Sequence, residues 1–420
     1  MEAGGVRRDL VHGAMREVLS RETADSIDSC VTDPPYALTA DTGQTFPGRY
    51  DVNPSCSKGG FMGLAWDSEL PTLEDWREVF RVLKPGAHLL AFGGTRTVHR
   101  LATLIEAAGF EIRDMLEWVY LSGFPKSLDV SKAIDKSAGH WRGKAGSVSS
   151  DNGSMSGPNY ERTDKGDPVT AAAAAAGWGT ALKPAHEPIV LARKPMLGTV
   201  CATWAAHSTG AMNIDGCRIP YASEEDKAAA AAAAAAAQRL NHDRPGEVYK
   251  LNGVGKSGFT HPRESIEPYL ASMGAGRWPA NVIAEPGTFA PDAQKVFDLD
   301  AWARGVASGL FACPKPTASE KEAGLKEAGS TKEYGIDRLN APAGRRNLHP
   351  TVKPVTLMRW LVRLVTPPGG VVLEPFAGSG TTAIAAIEEG CGYLAIEREA
   401  EYVEIAKARI ASAQRQGSLF

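Results

Sequence analysis

Val371-Val372-Leu373-Glu374-Pro375-Phe376-Ala377-Gly378-Ser379-Gly380-Thr381-Thr382 passes from a short apolar run through a glycine corner into a segment, 383–389, of helical character. Pro367-Pro368-Gly369-Gly370 turns the chain into that run, which reads as a parallel strand buried on both faces. The glycines let backbone approach a ligand closely. The helix behind them offers unbonded N–H groups and positive potential at its first turn. A lone Gly-x-Gly is weak evidence, and a dinucleotide fold is the obvious rival. Pro375-Phe376 before the corner and Thr381-Thr382 after it do not fit Gly-x-Gly-x-x-Gly, which disfavours nicotinamide cofactors. One βαβ unit further on, residues 392–397 form a second strand ending in an acid. Glu397 is thereby placed to bind two ribose hydroxyls.

Near the other end of the chain stands a second corner, Thr32-Asp33-Pro34-Pro35-Tyr36, directly after the apolar run 29–31. Both prolines fix φ near about −65° and donate no N–H, and each pushes the residue before it into extended backbone. A stiff turn results, presenting a carboxylate, a backbone carbonyl and a flat ring to one space. Asp33 and the carbonyl of Pro34 can each accept one N–H of an exocyclic amine, and Tyr36 can stack on the base that carries it. The plainer reading is a surface turn.

Asp33-Pro34-Pro35-Tyr36 paired with Phe376-Ala377-Gly378-Ser379-Gly380 resembles the S-adenosylmethionine-dependent DNA amino-methyltransferases. With the catalytic motif first and the cofactor motif last, the order resembles their beta class, which methylates adenine N6 or cytosine N4. The resemblance covers roughly residues 9–130, 177–196 and 345–410. It implies an α/β fold: a doubly wound, mostly parallel sheet of the seven-stranded methyltransferase type in circularly permuted order, with an inserted target-recognition region. S-adenosyl-L-methionine is the implied cofactor, and double-stranded DNA the implied partner. A homodimer and a cognate restriction enzyme are further implied partners. Asp33, Pro34, Pro35 and Tyr36 take the catalytic role in this resemblance. Glu374, Pro375, Phe376, Ala377, Gly378, Ser379, Gly380, Thr381 and Glu397 take the cofactor role, the corner holding the methionine carboxylate. His349, Thr351 and Lys353, from His349-Pro350-Thr351-Val352-Lys353-Pro354, join them at the methionine end. Aspartate at position 33 resembles the adenine members more often. The family usually carries an acid just after the glycine at position 13, and here that position is Ala14.

Between the corners the sequence alternates strand and helix, as a doubly wound sheet requires. Strands are expected over 9–13, 87–92, 110–120 and 189–192, and helices over 14–20, 73–82, 97–108, 355–365 and 398–410. Expected boundaries are 1–136 for the catalytic half, 137–176 for a flexible insertion and 177–196 for a returning strand. A target-recognition domain over 197–344 and the cofactor half over 345–420 complete them. His99 reads as packing or surface. By the same resemblance His186 and Glu187 line the target-base side of the pocket; the alternative is an ion pair or a cap at a strand edge. Lys126, Lys183, Arg345 and Arg346 are the DNA-binding candidates. Arg239, Asn241, Arg244, Lys250 and Lys256 are available for base edges or phosphates alike.

The net charge of −3 over 420 residues gives no global sign of nucleic-acid binding, so DNA contact must come from a local basic patch. Six cysteines without a Cys-x-x-Cys pair argue against a zinc site or a disulfide frame. No signal peptide and no bilayer-length apolar run is read, so a cytoplasmic protein without a membrane partner is expected. The alanine runs 171–176 and 228–237 read either as low-complexity helix or as unidentified positions, and no chemistry is assigned to them.

Overall fold

The computed structural model describes residues 6–37, 67, 70–120, 127–138, 170–221, 223–232, 276–284, 315–325, 347 and 349–417. Lys126, Arg345, Arg346 and the five interior candidates Arg239, Asn241, Arg244, Lys250 and Lys256 lie outside the described residues.

Strands β1 (Arg8–His12), β2 (Ile27–Thr32), β3 (Leu83–Phe92), β4 (Glu111–Val119), β5 (His186–Arg193), β6 (Val282–Ala284), β7 (Val371–Glu374) and β8 (Gly392–Glu397) form one sheet. Its order is β1-β8-β7-β2-β3-β5-β4-β6. Only β5 runs against its neighbours; the other pairings are parallel. The last two strands in the chain thus lie between the first two, which is the permuted arrangement expected. There is one strand more than the seven-stranded type, because β6 from the middle region adds to the outer side of β4.

Helices follow in chain order: α1 (Met15–Leu19), α2 (Leu73–Val82), α3 (Val98–Ala107), α4 (Val130–Ser137), α5 (Thr170–Ala174), α6 (Val200–His207), α7 (Ala318–Glu322), α8 (Val355–Val365), α9 (Thr381–Glu388) and α10 (Ala400–Gly417). All six residues of β2 are buried, as in a strand covered on both faces. Successive side chains alternate between two cores. Cys30, Leu89 and Leu373 pack with Leu19, Trp76, Val79, Leu101 and Ile105 of α1, α2 and α3. Val31, Leu90 and Val372 pack with Leu357, Leu361, Ala383 and Ala386 of α8 and α9. Trp76 is fully buried, and truncating it to alanine would cost roughly 3–5 kcal/mol. Thr72 and Asp75 form a reciprocal capping box that sets the start of α2.

The chain divides into two compact units, Met1–Leu121 with His186–Phe420, and Ser122–Ala185. The sheet lies wholly in the first. That unit also takes in the described parts of 197–344: Cys217, Ile219 and Ile283 join the core beside α8, and the Thr209 hydroxyl donates to the Pro85 carbonyl at 2.5 Å. In the second unit, Asp129 caps α4 through the Lys132 N–H, and Ser131 donates to the Ala172 carbonyl at 2.7 Å. Lys183 is exposed there. Among the described residues no helix is long and apolar enough to cross a membrane.

Candidate active site

Asp33 follows the last residue of β2, so its side chain emerges at the carboxyl end of the sheet, where open α/β folds hold ligands. Two side chains fix the corner behind it. Asp67 Oδ1 accepts the N–H groups of Tyr36 and Ala37 at 2.8 and 3.3 Å, and the Thr97 hydroxyl donates to the Tyr36 carbonyl at 2.8 Å. Ala37 has a φ of 51°, a left-handed conformation that these bonds hold in place.

The Asp33 carboxylate is engaged on one side only. Lys353 Nζ donates to Oδ2 at 2.6 Å, while Oδ1 is buried and has no hydrogen-bond partner. The same ammonium lies 3.1 Å from the Tyr36 hydroxyl and 3.2 Å from Glu187 Oε2. It sits 4.8 Å from the centre of the Phe92 ring. Tyr36 donates its hydroxyl proton to Glu187 Oε2 at 3.0 Å. Burial raises the Asp33 pKa; Lys353 pulls it back and Glu187 pushes it up again. For Glu187 burial also opposes ionisation, but Lys353 and Lys315 outweigh it and the pKa is lowered.

The glycine corner stands on the next strand. Thr32 and Thr382 donate to the two oxygens of Glu374 at 2.5 and 2.6 Å, and the Phe376 N–H adds a third bond at 3.0 Å. This carboxylate faces inward and braces the corner. Complete burial drives its pKa up to about 8 against those three bonds. Gly378 has a φ of 52°, and a methyl group there would lie 2.7 Å from His349 Nε2. Its N–H donates to Glu397 Oε2 at 2.7 Å, and the other Glu397 oxygen takes the Glu399 N–H at 2.8 Å. Each oxygen keeps lone-pair capacity for a further donor. His349 accepts the Thr351 N–H through Nδ1 at 3.4 Å, and burial lowers its pKa to about 3, so the ring is neutral. Ala14, which caps α1 without a side-chain bond, follows Gly13, whose N–H donates to the Glu397 carbonyl at 2.9 Å.

The structure therefore gathers Asp33, Tyr36, Lys353 and Glu187 into one cluster and Phe376, Gly378, His349, Thr351 and Glu397 into another. The strands that carry the two corners, β2 and β7, are hydrogen-bonded neighbours. Pro34, Pro375, Ala377, Ser379, Gly380 and Thr381 are buried in the corners themselves, and Pro35 is half-buried. Lys353 lies on the Asp33 side and not at the glycine corner. His186 is exposed, and its Nε2 lies 3.5 Å from Glu117 Oε2. Sequence reasoning missed Asp67 and Arg409. Arg409, from α10, donates to the Ser379 carbonyl, the Ser379 hydroxyl and the Thr381 hydroxyl at 2.6, 2.8 and 3.1 Å. Burial lowers its pKa to about 10. The one signal for Arg409 in the sequence is an arginine set between Ala408 and Ile410.

Residues 27–408 match the model of a family described as DNA methylase, of the N6/N4 type. Over 73 residues the chain is 44% identical to YubD of Escherichia coli (strain K12), named as a methylase. That match takes in 17% of this chain and 32% of the other, about a third of the relative's length. Among solved structures, the M1.HpyAVI–SAM complex aligns over 96% of this chain and 98% of that one, with 14% identity and a TM-score of 0.38. The PvuII DNA methyltransferase, cytosine-N4-specific, aligns over 98% and 93%, with 14% identity and a TM-score of 0.42.

Proposed function

The chain belongs to the N6/N4 DNA methylase family, and from that membership we propose that it moves a methyl group from S-adenosylmethionine to the exocyclic amine of a base in duplex DNA, adenine N6 in the first instance. One observation carries the reading. A buried carboxylate with a vacant acceptor, Asp33 Oδ1, stands on the strand next to a glycine corner built for close approach.

The residues present fit the cofactor. Gly378 leaves no space for a side chain against His349, and Glu397 stands one strand over with lone pairs to spare. The backbone from Phe376 to Thr381 and the first turn of α9 would hold the methionine carboxylate, Glu397 the ribose hydroxyls, and His349 with Thr351 the methionine end. When bound, the cofactor supplies an electrophilic methyl group on a sulfonium. Glu374 acts through the chain, since both its oxygens are taken by Thr32, Thr382 and Phe376.

A base must leave the duplex stack to reach this depth. Asp33 and the Pro34 carbonyl then accept the two N–H bonds of its amine, which draws the nitrogen lone pair out of conjugation with the ring. Tyr36, its hydroxyl tied to Glu187, offers a ring face of fixed orientation. The nucleophile belongs to the base, so no covalent enzyme intermediate is required. Rate enhancement comes from positioning and fixed electrostatics. Aspartate at position 33 supports adenine over cytosine. Lys126, Lys183, Arg345 and Arg346 are the proposed phosphate contacts.

Incubating the protein with methyl-labelled S-adenosylmethionine and, separately, unmethylated duplex DNA, RNA and protein tests the reading. Label is expected in DNA, as N6-methyladenine in the nucleoside digest. N4-methylcytosine would overturn the adenine assignment, and label confined to RNA or protein would overturn the DNA assignment.

A further inference from the structure

Asp33, Glu187 and Lys353 come from three distant parts of the chain, yet one ammonium joins both carboxylates. Lys353 Nζ is 2.6 Å from Asp33 Oδ2 and 3.2 Å from Glu187 Oε2, and its side chain is only 7% exposed. Two acids and one base leave a net negative charge, and the geometry divides the acids unequally. Glu187 receives the Tyr36 hydroxyl as well as the ammonium. Asp33 receives the ammonium on Oδ2 and nothing on Oδ1, which is buried. A buried acceptor without a partner costs about 1–3 kcal/mol, and such a group calls for an explanation in terms of function or a missing ligand.

We propose that Lys353 and Glu187 are positioning residues for Asp33. The ammonium clamps Oδ2 so that Oδ1 alone is turned toward the target amine, and Glu187 anchors the ammonium in that place. The proposal rests on the methyl-transfer reading above. Two consequences follow from the charges. Lys353 keeps Asp33 ionised in a site that desolvates it, and a carboxylate that became protonated would offer a hydrogen where the amine needs an acceptor. Glu187 confines the lysine, whose flexible stem would otherwise let the ammonium follow solvent. The charged and titratable groups around Asp33 are Lys353 ahead of α8, Glu187 on β5, Tyr36 in the corner and Glu374 on β7. Tyr120 at the end of β4 and Lys315 ahead of α7 face Glu187.

The test is a carboxyl-carbon NMR titration of the cofactor-free protein labelled at aspartate, with Asp33 identified by its loss in Asp33→Asn. In Lys353→Met the Asp33 midpoint is expected to rise by about 1–3 pH units, the effect of losing an adjacent opposite charge. In Glu187→Gln it is expected to rise by less, because loosening the ammonium costs Asp33 more than the loss of a like charge relieves it, and Lys353→Arg should restore a midpoint near that of the parent. The acid limb of kcat against pH on unmethylated DNA should move in the same direction and by a similar amount as each midpoint. A lysine that merely stabilises the fold would move the midpoint without moving the limb, and that result, like an unmoved midpoint, overturns the proposal. Should Lys353→Met not fold, a midpoint in Glu187→Gln that falls or stays in place overturns it instead. Midpoints that shift in a protein inactive on DNA would uphold the clamp and count against the methyl-transfer reading alone.

Discussion

Thr32 and Glu374, 342 residues apart in the chain, are joined by a 2.5 Å hydrogen bond across neighbouring strands. This contact ties the last residue of β2, just before Asp33, to the last residue of β7, just before the glycine corner. Burial holds the Glu374 pKa at about 8 in the folded protein, well above its ordinary value of 4.5. The folded state therefore binds the proton more tightly than the unfolded chain. Its stabilising contribution is whole below about pH 4.5 and is lost as pH rises through about 8. Glu374→Gln should remove that dependence. Calorimetry of both proteins from about pH 5 to about pH 8 should show the wild-type stability falling relative to the variant, by no more than about 1.4 kcal/mol per pH unit.

Asp33→Asn keeps the size of the side chain but exchanges one acceptor for an amide donor. Methyl transfer to DNA is expected to drop by roughly 10²–10³-fold or more, the usual loss when a fixed electrostatic contact to the reacting group is removed. Affinity for S-adenosylmethionine, measured by titration calorimetry, should stay within about twofold, since Asp33 lies at the other corner.

Gly378→Ala places a methyl group 2.7 Å from His349 Nε2 and puts an L side chain at a φ of 52°. The left-handed backbone alone costs roughly 1–2 kcal/mol. A lower melting temperature and at least about a tenfold loss of S-adenosylmethionine affinity are expected. The double variant Gly378→Ala with His349→Ala should recover part of the stability, because the clash is with the imidazole.

Arg409→Met removes three hydrogen bonds to the glycine corner without touching either ligand. Stability should fall by roughly 1.5–3 kcal/mol, the range for hydrogen bonds to a charged group. Calorimetric titration should also show weaker cofactor binding, with the DNA affinity of the cofactor-free protein unchanged.

Much of this architecture is legible in residue order. The strands 371–374 and 392–397 and the helices 73–82 and 355–365 form with the bounds their patterns predict. Buried parallel strands are continuous apolar runs, and Thr72 with Asp75 marks a helix start locally. Lys84-Pro85-Gly86 looks like a break between helix and strand, yet β3 begins at Leu83 without a loop. The Gly86 N–H finds its acceptors in the carbonyls of Lys194 and Pro195, which no local pattern reveals. The eighth strand is legible only in part: 277–283 reads as a short strand or a turn, and β6 exists through its pairing with β4. Both corners could be read because each packs its chemistry into a few consecutive residues. The Asp33–Lys353–Glu187 cluster could not, because its members meet only when β2, β5 and the segment before α8 converge. Lys353 stands in a motif that points to the cofactor by resemblance, whereas its partners are Asp33 of the other corner and Glu187 of β5.

The strand order has a consequence for how the protein is made. On the ribosome β1 and β2 emerge early, but the places beside them belong to β7 and β8, which emerge hundreds of residues later. Until then β2 carries an open edge of unpaired amides, the kind of surface that recruits stray strands or chaperones. Slowing translation between codons 32 and 371 should therefore prolong the aggregation-prone interval and lower the yield of folded protein.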